Sequence, residues 1–364
     1  MEKVRLGDVS TVITKGTTPT SVGYNFVERG INFIKIESIT EDGNFIEDKF
    51  AYITNECNEK LSRSQLKEND ILFSIAGAIG RVAIVDKSIL PANTNQALAI
   101  IRVPESVYEY NFLKYILRSP AINKQFEKQK QGVAQINLSL KNIGDFEIPV
   151  ISLEQQREIS LVLDKVTDLI DKRKEQLLKL GELVQARFVE LFDGKGYPTL
   201  KWNEVFNTTT GKLDSNAMVE NGEYPFFTCA KEVFRIDKYA FDQEALLLAG
   251  NNAAGKYDVK YYKGKFNAYQ RTYVLELKED WSYQLFRYQL EDKLVYLQQQ
   301  SLGGLTKYLT LKILGELEFV VPPMDKQNEF TAFVEQTDKS KLEVQKSLGK
   351  LELLKKALMQ KYFG

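Results

Sequence analysis

The segment LKNIGDFEIPV, Leu140 to Val150, has a second copy later in the chain, LKILGELEFVV, Leu311 to Val321. Residues 140–192 align with 311–363 without gaps, and the identical positions include Leu140/Leu311, Gly144/Gly315, Gln156/Gln327, Leu177/Leu348, Leu183/Leu354 and Phe192/Phe363. A self-match of this length marks a duplicated unit and has to be read before any local motif.

The order of elements upstream repeats as well. An apolar strand ending in glycine, NDILFSIAG (69–77), has its counterpart in EALLLAG (244–250). RVAIV (81–85) corresponds to KYDVKYY (256–262), and NQALAIIRV (95–103) to RTYVLEL (271–277). β-Branched and aromatic enrichment makes these strands. A helical stretch follows in each half, NFLKYILRSPAINKQFEKQ (111–129) and SYQLFRYQLEDKLVYLQQQ (282–300). Then come the loops QGVAQINLS and SLGGLTKYLT, the short strands FEIPVIS and LEFVVPP, and a long closing helix.

The closing helices carry the clearest periodicity. In the first, Leu163, Val166, Ile170, Leu177, Leu180, Val184 and Leu191 recur at spacings of three and four, with Arg173 and Arg187 on the same stripe. In the second, Val334, Val344, Leu348, Leu351, Leu358 and Tyr362 follow that stripe, interrupted by Thr337, Lys341 and Lys355. A narrow seven-residue stripe suits a coiled-coil seam. The helices start at ISLEQQRE and PPMDKQNE, with an acidic residue in the first turn where the helix dipole favours it. The first stops at the Gly/Pro-rich FDGKGYP (192–198). At ~1.5 Å per residue each rod is ~55 Å long. The expected organisation is a domain over 1–152, a long helix over 153–193, a second domain over 194–323 and a second long helix over 324–364.

Composition removes several enzyme classes. The 364 residues contain no histidine, which excludes a Ser-His-Asp triad or a histidine base. The two cysteines, Cys57 and Cys229, cannot make a four-thiolate zinc site and read as incidental thiols of a reducing cytoplasm. No apolar run suggests a membrane span, and MEKVRLGDVSTV lacks the apolar core of a signal peptide, so a cytoplasmic location is expected. Lys and Arg balance Asp and Glu at 49 each, so any affinity for nucleic acid has to come from local charge segregation or shared partners. Gly250-Asn-Asn-Ala-Ala-Gly255-Lys256 matches a phosphate-binding loop in outline. Tyr257 stands where magnesium binding needs Ser or Thr, and a strand-like segment follows instead of a helix, so a glycine-rich hairpin is the better reading. VPPM (321–324) lacks the acidic or amide residue of a methyltransferase motif and reads as turn chemistry. EDK at 47–49 and 291–293 forms no metal-binding constellation for a nuclease.

Two α/β domains, each followed by a long helix, resemble the specificity subunits of type I restriction-modification systems. VRLGDVSTVITKGTTPT (4–20) is similar to that family's domain opening, and LKWNEVFNTTTGKLD (200–214) is a degenerate second copy without the Thr-Pro. QGVAQINLSLKNIGDFEIPVISLEQQREI (131–159) resembles its end-of-domain motif, and QARFVELFDG (185–194) and KALMQKYFG (356–364) resemble its helix ends. The resemblance implies an α+β fold of two target-recognition domains joined by two long helices packed as an antiparallel coiled coil, with a pseudo-twofold repeat. It also implies that each domain reads one half of a split double-stranded DNA target, and that the helices set the spacing. Two modification subunits binding S-adenosylmethionine would dock on the helices and methylate adenine N6, with restriction or translocase subunits as further partners. The chain itself would have no catalytic site and no cofactor.

Candidate DNA-contacting residues follow from side-chain chemistry. Asn and Gln pair with adenine, Arg with guanine, Lys, Thr and main-chain amides with phosphate, and glycine allows close approach. In the first domain these are Gly16, Thr17, Thr18, Ser74, Gly77, Gly80, Arg81, Asn93, Asn95, Gln96, Gln131, Gln135 and Asn137. In the second they are Lys212, Asn251, Asn252, Lys256, Tyr269, Gln270, Arg271, Thr306, Lys307 and Tyr308. Lys124, Lys128 and Lys130 are either phosphate contacts or a solvated helix face. For partner docking the candidates are Gln156, Arg157, Arg173, Arg187, Phe188, Lys341 and Lys355, with Arg173 and Arg187 alternatively snorkelling at the seam's edge. The competing reading of the repeat is a scaffold whose domains bind protein or carbohydrate.

Overall fold

The computed structural model describes residues 2–127, 137–253 and 255–364. The chain forms two compact units, Met1–Lys174 with Lys346–Gly364, and Glu175–Gln345. Each unit contains a stretch of both long helices and so extends beyond the globular segments 1–152 and 194–323 alone.

In the first unit β1 (Lys3–Arg5), the one-turn helix α1 (Leu6–Val9) and β2 (Val12–Lys15) precede β3 (Ile31–Ile34), β4 (Ala51–Ile53) and α2 (Asn55–Lys60). Next come β5 (Ile71–Ser74), β6 (Val82–Ile84), β7 (Ala92–Thr94) and β8 (Leu98–Arg102). Then α3 (Tyr110–Leu117), α4 (Pro120–Glu127), α5 (Leu140–Gly144) and β9 (Glu147–Pro149) lead to the long helix α6 (Leu153–Phe192). The strands form an antiparallel sheet in the order β2-β8-β5-β6, a second sheet β4-β3-β7, and the pair β1-β9.

The central sheet is covered on both faces. Ile71 and Phe73 of β5 join Ala99 and Ile101 of β8 in one cluster, which contains Phe112 and Phe146. The alternate residues Leu72, Leu98 and Ile100 join Ile34, Ile39 and Ile89 in another. Side chains alternate across a strand, so burial on both faces explains why these strands read as unbroken apolar runs. The edge of this core holds one charged pair. Asp70, 1% exposed, takes Arg102 Nε at 2.5 Å and Nη2 at 2.9 Å. Lys67 N also donates to it, and Arg102 Nη2 donates to Gln65 O. Removing one partner strands a buried charge, so Arg102→Ala is expected to cost about 3–5 kcal/mol. A urea or thermal melt showing a loss under 1 kcal/mol would remove the pair from the account of this core.

The second unit repeats the order. β10 (Thr199–Lys201), α7 (Trp202–Val205) and β11 (Phe206–Thr210) precede β12 (Tyr224–Phe227) and β13 (Phe234–Ile236). β14 (Phe241–Ala249), β15 (Asn251–Asn252), β16 (Val259–Ala268) and β17 (Thr272–Leu277) follow. Then come α8 (Tyr283–Asp292), α9 (Leu294–Gln300), β18 (Lys307–Tyr308), α10 (Leu311–Gly315), β19 (Glu318–Val320) and the long helix α11 (Met324–Phe363). The sheet order β11-β17-β14-β16 reproduces β2-β8-β5-β6, and β10-β19 reproduces β1-β9. β16 is a continuous ten-residue strand and carries β12 and β13 into one six-stranded sheet. In the first unit the segment Asp86–Pro91 interrupts that path, so β6 and β7 separate and two sheets result.

The two expected helical stretches are each divided. Among the described residues the stretch over 111–129 contains two helices, α3 and α4, and the second starts at Pro120. Proline lacks the N–H that would continue the ladder and fits a first turn. The helix over 282–300 likewise divides into α8 and α9 at Lys293, whose N–H closes a tight turn on Leu290 O. No residue type at Lys293 announces the break.

The long-helix stripe is realised inside each unit. Leu163, Val166, Ile170, Val184 and Leu191 of α6 are buried, as are Val334, Thr337 and Val344 of α11. In the first unit, one groove is lined by Ile159 and Val162 with Tyr362, and another by Ile170 and Lys174 with Glu352 and Lys355. Rising numbers on α6 meet falling numbers on α11, so the two run antiparallel there. In the second unit Phe188 meets Phe330 at 5.7 Å, and Val184 lies in the same cluster as Val334, with the same antiparallel sense.

Candidate nucleic-acid interface

The duplication places one turn in each unit in the same setting. β3 runs parallel to β7, pairing Phe33 with Asn93 and Ile34 with Thr94. β12 runs parallel to the end of β16, pairing Phe226 with Asn267 and Phe227 with Ala268. A three-residue connection follows in each, Asn95-Gln96-Ala97 and Tyr269-Gln270-Arg271. Each is a tight turn, closed by Leu98 N to Asn95 O at 3.4 Å and by Thr272 N to Tyr269 O at 2.8 Å. Glutamine occupies the first central position of both turns and is exposed in both.

What fixes these turns is also shared. Asn93 is 0% exposed and Asn267 5%. Asn93 Oδ1 accepts from Thr94 N (2.9 Å) and Ser64 Oγ (2.7 Å), and its Nδ2 donates to Asn58 Oδ1 and Leu61 O. Asn267 Oδ1 accepts from Ala268 N (2.9 Å), and its Nδ2 donates to Lys238 O. Opposite them lie Gly16 and Gly211. A Cβ on Gly16 would stand 1.8 Å from Thr94 O, and one on Gly211 1.8 Å from Ala268 O. Neither glycine has a positive φ, so space and not conformation demands glycine. The sequence reading named Gly16 and Gln270 but missed Gly211 and Asn267. The signal was present as a repeated Asn-x-x-Gln, Asn93 to Gln96 and Asn267 to Gln270, each preceded upstream by a Thr/Lys-rich strand ending in glycine.

Several candidate residues act inside the protein instead. Ser74 is 0% exposed; its Oγ donates to Ala78 O and accepts from Arg81 N. Ser74 and Asn93 are thus each engaged in hydrogen bonds within the protein. Arg81 Nη1 donates to Ile36 O (3.2 Å) and Ile39 O (2.7 Å), so the guanidinium braces a neighbouring loop. Gly77 and Gly80 take φ of 66° and 90° in the hairpin between β5 and β6, a conformation glycine adopts at no steric cost. In the second unit the corresponding connection carries β15, which pairs Asn251 with Tyr308 and Asn252 with Lys307. The strand β16 follows Lys256, not a helix, so no phosphate-binding loop is built there. Lys212, Lys256, Arg271, Thr306 and Tyr308 are exposed, as is Asn137. Thr17, Thr18, Asn95 and Tyr269 are half-buried. Gln131, Gln135, Lys128 and Lys130 lie outside the described residues.

The docking candidates divide the same way. Gln156 is 1% exposed. Its Oε1 accepts from Glu109 N (2.8 Å) at the start of α3, and its Nε2 donates to Val107 O and Ile151 O. Gln327 repeats this, accepting from Ser282 N (2.9 Å) at the start of α8 and donating to Pro322 O. Both tie a long helix to its own domain, which corrects the expectation that Gln156 faces a partner. Gln156→Ala would orphan these groups and is expected to cost about 2 kcal/mol. Hydrogen exchange at the start of α3 should rise while that at α8 holds, and equal rates at both sites would contradict the tie. Phe188 is half-buried among Phe192, Tyr288 and Phe330. Arg187 pairs with Glu329 and with Glu190 and lies over Phe333, as a snorkelling seam residue would. Lys341 pairs with Asp338 at 3.7 Å. Burial, then the nearby Arg118, pushes the Lys355 ammonium down from the usual lysine range. Arg157 is exposed and Arg173 half-buried.

Among the described residues no group of three His, Cys, Asp or Glu is placed to hold a metal ion. Among the same residues no helix is long and apolar enough to cross a membrane.

A duplicated α+β domain followed each time by a long helix defines a class, and the match to it covers most of the chain. The family model for the type I restriction modification DNA specificity domain matches residues 1–180 and again 195–355, and the chain belongs to that family. The chain is 35% identical over 165 residues to the EcoDI specificity subunit of Escherichia coli, a match covering 44% of this chain and 35% of that protein. It is 29% identical over 201 residues to the Escherichia coli EcoBI specificity subunit, covering 53% and 41%. The matched regions thus span less than half the length of either relative. The crystal structure of a type I restriction-modification S subunit from M. genitalium aligns with TM-score 0.61 at 16% identity, covering 100% of this chain and 96% of that one. A chain from a study of complex assembly and conformational transition in the type I R-M system aligns with TM-score 0.57 at 17% identity, covering 100% and 97%. Both show the shared fold. The family assignment does not favour the protein- or carbohydrate-binding scaffold.

Proposed function

We propose that this chain is the DNA-recognition subunit of a type I restriction-modification complex, with each domain reading one half of a bipartite duplex target. The observation that supports this best is the pair of equivalent turns. Their scaffolding is shared, while their tips differ, Asn95-Gln96-Ala97 in one and Tyr269-Gln270-Arg271 in the other. Shared scaffolding with unlike tips suits two readers of unlike half-sites, as symmetric dimers suit palindromes. In this reading the long helices set the gap between half-sites and dock two modification subunits, restriction subunits being further partners. Methyl transfer from S-adenosylmethionine belongs to the modification subunits, and this chain performs no chemistry.

The test is duplex binding by the full chain, alone and in the assembly it forms in its cell. Affinity should fall linearly in log–log terms with salt, by roughly 0.9 per phosphate neutralised. Replacing residues 1–150 with another recognition domain should alter one half of the preferred target and leave the other. A swap that changes both halves, or neither, defeats the two-reader reading.

A further inference from the structure

We infer that Gln96 and Gln270 are the paired base-reading side chains of the two domains. This rests on the DNA-recognition reading and carries it to named side chains. Three observations converge on them. Each glutamine is at the first central position of a three-residue turn closed by a main-chain hydrogen bond, and each is exposed. Each turn is pinned from below by a buried asparagine and from the side by a glycine that admits no Cβ, so the turn cannot sink or swing. No other exposed amide side chain is placed equivalently in both units among the described residues.

The pinning is asymmetric, and the asymmetry predicts different behaviour. Thr18 Oγ1 donates to Gln96 Oε1 at 2.5 Å. That tethers the amide at its oxygen and uses one lone pair of Oε1, so the exposed side chain keeps both Nε2 hydrogens and the second lone pair of Oε1 for a ligand. This donor–acceptor pair matches the major-groove edge of adenine, N7 and the N6 amine. Thr18 is therefore a positioning residue for Gln96. In the second unit Leu213 bridges to Tyr269, and Leu213 O accepts from Gln270 N at 2.9 Å. The main chain is held there, and among the described residues no hydroxyl is bonded to the amide. With no such bond among the described residues, Gln270 is expected to select its base less sharply than Gln96.

The experiment is selection from a randomised duplex library by the full chain in its assembly, with base preference read position by position. Wild type should enrich two separated half-sites. Gln96→Ala should lower preference about tenfold at one or two adjacent positions of one half, and Gln270→Ala should do so in the other half by less. Thr18→Val should blunt the Gln96 position alone, whereas a merely structural effect would weaken binding to all sequences equally. Gln96→Glu should move the preference at that position from adenine toward cytosine, whose N4 amine meets an acceptor. If wild type enriches a bipartite target and both alanine variants leave it unchanged, the reader assignment is wrong and the DNA-recognition reading survives. If wild type in its assembly enriches nothing, the DNA-recognition reading falls and takes the assignment with it.

Discussion

Adding one methyl group at Gly211 is expected to destabilise the second unit by about 3 kcal/mol and to erase preference for one half of the target. The new Cβ would stand 1.8 Å from Ala268 O, 2.2 Å from Ala268 C and 2.7 Å from Tyr269 O. All three are main-chain atoms, so no flexible side chain can give way. Relief requires moving the turn itself, which Asn267 and the Thr272–Tyr269 hydrogen bond hold in place. Gly16→Ala should do the same to the first unit, where Thr94 O lies at 1.8 Å and Asn95 O at 2.6 Å. Gly181→Ala is the matching control. That glycine lies within α6 with nothing inside 4 Å of the added carbon, and the exchange should stabilise by about 1 kcal/mol. Hydrogen exchange resolved by segment distinguishes the cases. Wild-type protection across 206–277 in the Gly211 variant would show that the turn tolerates what the geometry forbids.

Phe363→Ala is expected to weaken the first unit by about 3–5 kcal/mol. Phe363 is 6% exposed, its ring centroid is 5.4 Å from that of Phe112, and it belongs to the cluster containing Leu163 and Phe73. Phe363 thus fills a core whose strands begin before position 20. Its repeat partner, Phe192, packs against Phe188 at 5.0 Å and Phe330 at 5.5 Å in the second unit. The two alanine variants should therefore act on opposite units. Segment-resolved exchange should show Phe363→Ala loosening 71–74 and 98–102, and Phe192→Ala loosening 283–292. Loosening of both units by either variant would contradict the division of the core.

The duplication was readable because the long helices and the segments before them repeat at a constant offset, Leu140 with Leu311 through Phe192 with Phe363. The central strands were readable because burial on both faces wrote apolar runs at 71–74 and 98–102. β3, β4, β12 and β13 were not readable. Their segments are short, mix polar with apolar residues, and take their register from partners far along the chain. Gly211 escaped notice because the Thr-Pro that flags Gly16 is missing after it. Ser74 and Asn93 were assigned outward because polar side chains near a turn look the same in sequence whether they face solvent or the interior. Only the partners decide, and these lie up to 35 positions away, as Asn58 does from Asn93. Gln156 misled for the same reason. An exposed-looking polar residue in the first turn of an amphipathic helix is in fact the most deeply buried in that turn.

Gln156 and Gln327 have a consequence for how such proteins diversify. The groups they grip are main-chain ones: Glu109 N, Val107 O and Ile151 O in one unit, Ser282 N and Pro322 O in the other. A socket made of backbone is indifferent to which side chains the visiting module carries. An exchanged module would keep these main-chain contacts whatever its side chains, and would have to re-form only the side-chain packing that Leu163 and Phe363 make with the core.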